Sequence, residues 1–334
     1  MKYYNIPIFV PHKGCPFDCV FCNQRRITGN ADDVDEQAVK KTVEEYLKTL
    51  PKDNAKIEIA FFGGSFTGID FDMQRRFLST AYDYVKSGQV SGIRLSTRPD
   101  YINKKILDQL FEFGVTTIEL GVQSMDNSVL LKSSRGHSAD DVKKAVQIIR
   151  NYPFSLGLQM MTGLPGDTPE LALKTADEII ALKPDFVRIY PTLVLKDTYL
   201  EQMYKKGEYL PQTLTDAVTL CKSLLIKFEA CGVKVIRIAL QTTDEICDNG
   251  SVVAGPYDAQ FRELVESSIY YDKIKKLLSY FSGKNAFIRV NDKEVSKAVG
   301  RKRENIIKVN NELGILIKII GDEKIKKGDM ELLK

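Results

Sequence analysis

No apolar run in this 334-residue sequence approaches the roughly 18 to 20 residues that cross a bilayer, so no membrane-spanning helix is expected. The opening MKYYNIPIFVPHKGC holds too short an apolar stretch for a secretory signal, which makes the cytoplasm the expected compartment. Charge of one sign is scarce as well: 48 Lys+Arg against 44 Asp+Glu leave a net +4, a total that says little about partners. Internal repeats and low-complexity tracts are lacking. Only two histidines occur, His12 and His137, so imidazole acid-base chemistry has few candidates. A disulfide framework is lacking too, because three of the six cysteines crowd into residues 15–22 while Cys221, Cys231 and Cys247 are dispersed. Cys221 and Cys231, on or beside one expected helix, read as small buried hydrophobes.

What remains is an ordinary globular composition, 43% hydrophobic and 28% charged, in a chain long enough to bury roughly three quarters of its unfolded surface. The basic excess is local. Residues 285–334 hold 12 Lys+Arg and 8 Asp+Glu, a surplus of 4 that equals the whole net charge.

From residue 5 to about 239, short runs rich in Val, Ile and Phe alternate with amphipathic stretches, the pattern of repeated βα units. Strands are expected at 5–10, 56–62, 91–96, 115–121, 155–162, 185–194 and 233–239. Helices are expected near 36–50, 70–86, 102–113, 138–150, 168–182 and 213–231. About six βα units predict an α/β fold, a partial (β/α)6 TIM-like barrel, with a doubly wound sheet as the alternative. Either fold gathers ligand-binding residues after the strand C-termini. The expected domains are the barrel at 1–243, a loop and helical connector at 244–283, and a small α+β unit at 284–334.

Cys15, Cys19 and Cys22 stand at CxxxCxxC on the loop leaving the first strand. Three thiols on one loop suit three irons of a 4Fe-4S cluster, leaving the fourth iron open. A zinc site with His12 as fourth ligand is the alternative. This spacing, with Phe21 before the third cysteine and directly after strand one, resembles the radical S-adenosylmethionine (SAM) enzymes. Gly63, Gly64, Ser65 and Phe66 after strand two resemble the loop that in that superfamily binds the SAM amino group. STRPD at 96–100, GVQS at 121–124, RGH at 135–137, GLPG at 163–166 and YPTLV at 190–194 follow in order. Over residues 5 to 240 the succession is similar to the radical SAM half of the Elongator catalytic subunit family, which is associated with tRNA wobble-uridine modification.

The resemblance implies that Gln123 and Arg135 reach the ribose and carboxylate of SAM and that Gln159 and Gly163 shape its adenine end. Tyr190 is the candidate catalytic residue, a phenol that can donate a proton or relay a radical near the substrate side, where Arg188 can hold a phosphate or carboxylate. Three departures stand out. The family has a wider spacing between its first two cluster cysteines, Ser96 replaces a glutamate, and 334 residues leave no room for the family's acetyltransferase domain. Acetyl-CoA-dependent chemistry is therefore not implied.

In the tail, two expected helices at 292–299 and 304–313 are joined by Gly300-Arg301-Lys302-Arg303 and flanked by strands at 286–290 and 315–320. This resembles a KH core, whose GxxG loop clamps a nucleic-acid backbone, although Arg303 replaces the second glycine. A helix-turn-helix and a plain interaction domain are the competing readings. Aromatics for base stacking are few here, so binding would be led by the phosphate backbone.

The expected function is SAM cleavage at a 4Fe-4S cluster to a 5′-deoxyadenosyl radical, for modification of an RNA nucleoside in tRNA or rRNA. A donor such as flavodoxin or ferredoxin would supply electrons. Alternatives are a small-molecule enzyme similar to the coproporphyrinogen dehydrogenases, and a non-catalytic RNA-binding cluster sensor.

Overall fold

The computed structural model of the protein describes residues 2–10, 19–23, 34–51, 53–241, 246–247 and 250–333. Two compact units result: one of Met1–Gln212 and Lys227–Tyr257, the other of Thr213–Ile226 and Asp258–Lys334.

In the first unit, apolar runs form β1 (Lys2–Val10), β2 (Ala55–Gly63), β3 (Gly92–Thr97), β4 (Val115–Gln123), β5 (Ser155–Thr162) and β6 (Phe186–Pro191). Between them run α1 (Glu36–Thr49), α2 (Phe71–Lys86), α3 (Lys104–Glu112), the short α4 (Asn127–Lys132), α5 (Ala139–Ile149) and α6 (Pro169–Ala181). The helices begin where polar side chains catch free backbone N–H groups: Asp35 on Ala38, Asn103 on Ile106, and Ser138 with Asp141 as a reciprocal box. Each such cap stabilises its helix by about 1 kcal/mol.

After β6 come β7 (Val194–Leu195), α7 (Tyr199–Lys205), α8 (Leu214–Ala230), β8 (Lys234–Ile238) and β9 (Val252–Ala254). The strand expected over 185–194 is broken. Pro191 ends it, and Thr192 turns back to donate from its N–H and its hydroxyl to the Thr162 carbonyl. β7 then pairs antiparallel with β9, inside a segment expected to be loop.

Seven strands form one parallel sheet in the order β1-β2-β3-β4-β5-β6-β8. The order never reverses, so right-handed crossovers put the crossover helices α1, α2, α3, α5 and α6 on one face, and the sheet curls around the other. This is the expected partial barrel of six βα units, completed by a seventh strand, and not the doubly wound alternative. Side-chain alternation divides the two faces. Ile59, Phe61, Leu95, Ile118, Leu120, Leu158 and Ile189 are fully buried on the helix side. The residues between them bring Glu58, Arg94, Glu119, Gln159 and Arg188 to the concave side.

The second unit contains α9 (Phe261–Leu278), β10 (Asn285–Val290), α10 (Val295–Val299), α11 (Glu304–Leu313), β11 (Leu316–Gly321) and β12 (Met330–Leu333). The expected strand-helix-helix-strand is present. Parallel pairing of β10 with β11 requires a crossover, which the two helices supply, and β12 adds an antiparallel edge. Tyr270 and Ile274 of α9 share a core with Ile288, Val309 and Ile317.

Candidate functional site

The cysteine loop is held at two points. The Val20 N–H donates to the Ser133 carbonyl at 3.2 Å, and the Val20 carbonyl accepts from the Leu200 N–H at 2.7 Å. The Val20 side chain is buried with Val194, Leu200 and Tyr209, and Phe21 packs against the same cluster. Within the loop the Cys22 N–H bonds the Cys19 carbonyl at 2.9 Å, a tight turn that sets both thiols on one short segment. Cys19 is buried and Cys22 partly so. Cys15 and His12 lie outside the described residues.

Beside Cys19 the ends of β3 and β4 converge. Arg135 Nη1 donates to Cys19 Sγ at 3.5 Å, and Nη2 donates to the Gly121 carbonyl at 2.7 Å. A Cβ on Gly121 would meet Arg135 Nη2 at 2.7 Å and Gln123 Nε2 at 2.9 Å, so both side-chain ends lie over bare glycine backbone. Gln123 sits in the left-handed region with φ 67°, a strained choice for a residue with a Cβ, and its buried Oε1 has no hydrogen-bond partner among the described residues. One layer outward, Thr97 Oγ1 lies 2.8 Å from Ser65 Oγ and 2.5 Å from Thr67 Oγ1, tying the GGSFT loop to β3. Gly63 has φ 97°, while the Phe66 ring is fully buried 4.8 Å from that of Phe61. Phe66 thus offers backbone, not ring, to a ligand.

His137 Nε2 faces the Val122 carbonyl at 3.2 Å, and its Nδ1 is buried without a partner. Burial, then the positive charges of Arg135 and Arg98, push this imidazole down to about 4, so it is neutral at physiological pH.

On the concave face Glu119 is the hub. Fully buried, it accepts from Arg188 Nε at 2.6 Å, Arg188 Nη2 at 2.9 Å and Gln159 Nε2 at 2.9 Å. Arg94 lies 3.6 Å from Glu119 and 3.5 Å from Glu58. Tyr190 stands beside Arg188, with its phenol pushed up by burial. Ser96, partly buried, faces the same side. Gly163 adopts φ 72° against the Gln212 side chain, and its carbonyl accepts from the Tyr209 hydroxyl at 2.6 Å. Asp167 in this loop accepts from the Gly163 N–H at 2.9 Å, and burial raises its carboxyl to about 6.

The structure therefore brings Cys19, Gln123, Arg135 and the Ser65 loop into one neighbourhood. It ties Gln159 to Glu119, deeper on the concave face. Glu119, Arg94 and Thr97 were missed in the sequence. For Glu119 and Arg94 the available signal was a lone charge inside an otherwise apolar strand, and Thr97 lay within the STRPD motif.

In the second unit, Gly300 (φ 77°) is followed by Lys302 and Arg303, both left-handed, at the entry to α11. A Cβ on Gly300 would crowd the Asn305 backbone N–H at 3.0 Å, and buried Asn305 Nδ2 donates to carbonyls of Ser267, Lys297 and Ala298. Arg301 is bound to Asp258 at 2.6 Å.

A seven-stranded partial barrel with clamped cysteines and polar groups at its strand ends defines the class. The profile of the Radical SAM superfamily matches residues 9–179, just over half of the chain, and that of the Radical_SAM C-terminal domain matches 184–271. The chain belongs to the radical SAM superfamily. Among its relatives is the tRNA uridine(34) acetyltransferase of Methanocaldococcus jannaschii, 31% identical over 207 residues, spanning 55% of this chain and 38% of the relative. Human Elongator complex protein 3 is 29% identical over 201 residues, spanning 54% and 37%. Among solved structures, Methanocaldococcus infernus Elp3 with its N-terminus deleted superposes with TM-score 0.64 at 26% identity, covering 82% of this chain and 63% of that one. The chain thus spans less than two thirds of these relatives.

The superfamily's cofactors are a 4Fe-4S cluster and SAM, and the residues present fit them. Two thiols share a clamped turn, a guanidinium touches one of them, and a buried amide oxygen has no partner among the described residues.

Proposed function

We propose that this protein is a radical SAM enzyme that modifies an RNA nucleoside. Cys15, Cys19 and Cys22 would hold the 4Fe-4S cluster, with Phe21 fixing the loop through its packing. When bound, the cluster and SAM supply a 5′-deoxyadenosyl radical, given an electron from a flavodoxin or ferredoxin.

The chain's own residues bind and orient. The backbone of Gly63, Gly64, Ser65 and Phe66 would accept from an ammonium, an approach that glycines leave open. Ser96 adds a hydroxyl nearby. Arg135 would meet the carboxylate of SAM, and Gln123 its ribose, where the unpartnered Oε1 accepts a hydroxyl. Gly163 would border the adenine, while Gln159 fixes Glu119 and through it Arg188. Tyr190, held neutral, would donate a hydrogen bond to the substrate. The observation that carries the reading is the contact of Arg135 with both Cys19 and Gly121, which joins the cluster loop to the strand-end pocket.

The unit at 284–334 would present RNA, with 244–283 as the connector. Gly300 makes the close turn, and Lys302 and Arg303 would face phosphates. Arg301, already bound to Asp258, would contribute less. Similarity to tRNA uridine(34) acetyltransferases favours tRNA over rRNA.

The test is anaerobic reconstitution, followed by SAM and dithionite. The intact protein is expected to form 5′-deoxyadenosine, and Cys19→Ala to form none and to retain little iron. Absence of 5′-deoxyadenosine from the intact protein would favour the cluster-sensor reading.

A further inference from the structure

The concave face carries more positive charge than its carboxylates match. Glu119 is taken by Arg188 through two hydrogen bonds, at 2.6 and 2.9 Å. Glu58 lies 3.5 Å from Arg94 and 3.6 Å from Lys56. Arg237 of β8 remains. It is the direct neighbour of Arg188 in the β6–β8 register, so both guanidiniums rise from the same side of the sheet. Among the described residues no carboxylate lies within salt-bridge distance of it, and its Nη1 donates only to the neutral Gln241 Oε1 at 3.0 Å. A guanidinium has five N–H donors in a planar fork.

We propose that Arg237 is an anion-binding residue of the concave face, and that it takes a phosphate or carboxylate group of the molecule bound there. The inference rests on the reading of this face as the substrate side. Three features support it. A half-buried guanidinium with no carboxylate in salt-bridge distance among the described residues is unfavourable, and an anion relieves it while using the fork in a bidentate bond. Arg188 cannot serve, because Glu119 already neutralises it; this also limits repulsion between the two arginines. Tyr190, one pleat nearer the strand C-termini on β6, offers a neutral hydroxyl donor beside the same spot. Burial, followed by the Arg188 charge, lowers the Arg237 pKa, as expected of a cation awaiting a partner.

The test is calorimetric titration of the reconstituted, SAM-loaded protein with inorganic phosphate and, separately, acetate. Saturable binding of at least one anion is expected. It should weaken about tenfold or more in Arg237→Gln and by only about threefold in Arg237→Lys, which keeps the charge and loses the fork. Preference for phosphate assigns the group to a nucleotide backbone or phosphoester, and preference for acetate to a carboxylate substrate. Unchanged affinity in Arg237→Gln, or no saturable binding of either anion to the intact protein, overturns the proposal. Arg237→Met, which keeps the aliphatic stem, replaces the Gln variant if that fails to fold. Since the titration needs neither RNA nor turnover, its outcome is independent of whether RNA is the substrate.

Discussion

At the scale of single residues, two glycines that look alike in sequence make opposite predictions. In Gly121→Ala the new methyl would collide with the movable ends of Arg135 and Gln123. The fold is expected to survive, while SAM affinity of the reconstituted protein falls about tenfold or more by calorimetry. In Gly157→Ala the methyl would strike the Phe186 ring at 2.3 Å. Overpacking of this kind costs about 1–3 kcal/mol, to be read as a lower urea midpoint. His137 and Asp167 make a paired prediction in pH. A histidine lowered from 6.5 to about 4 contributes stability that is complete above 6.5 and is lost as pH falls towards 4. The raised Asp167 works the other way, adding stability as pH falls from about 6 to 3.8. Each slope amounts to roughly 3 kcal/mol at most, so between pH 4 and 6 they largely cancel. His137→Gln can still bond the Val122 carbonyl but does not titrate, so it is expected to gain on the wild type as pH falls from 7 to 4.5. Urea midpoints that move in parallel would contradict this.

At the scale of elements, long periodic segments were legible and short ones were not. Each main sheet strand and crossover helix lies close to its expected position, because a Val/Ile run followed by a 3.6-residue amphipathic stripe leaves little choice. α4, α7, β7, β9 and β12 are too short to show a period. Two of them matter to the site: Ser133 just after α4 and Leu200 of α7 are what clamp Val20. The cysteine motif named the loop but not its anchors, which lie more than 100 residues away in sequence. Glu119 was hidden for a similar reason, since Arg188 is its partner only once β4 and β6 are placed in one sheet. In the tail, Gly300 packs over Asn305 and Arg301 is engaged with Asp258, so under the proposed RNA reading Lys302 and Arg303 are the residues expected to meet phosphates. Lys302→Ala with Arg303→Ala is expected to weaken RNA binding and to reduce the slope of log affinity against log salt by about 1.4 to 1.8, according to whether the RNA contacted is single- or double-stranded. Arg301→Ala should change the slope less. An unchanged slope in the double variant would remove the tail from the RNA interface.

At the scale of the whole molecule, the proposed function divides its tasks between the two compact units. The barrel curls its polar face away from its crossover helices, and its strand ends bring thiols, a guanidinium and a glycine-rich turn into one neighbourhood. The second unit is small, basic at one turn, and built on a parallel strand pair bridged by two helices. Membership of the radical SAM superfamily accounts for the first unit, and the RNA reading joins the second to it. The central claim is therefore that RNA governs the chemistry of the barrel. The direct measurement is 5′-deoxyadenosine formation by the anaerobically reconstituted protein, with and without bulk RNA from cells lacking this gene. The account predicts that such RNA stimulates formation and that RNA from cells carrying the gene, already modified, does so less. Equal cleavage in all three conditions would contradict it and direct the search to small-molecule substrates.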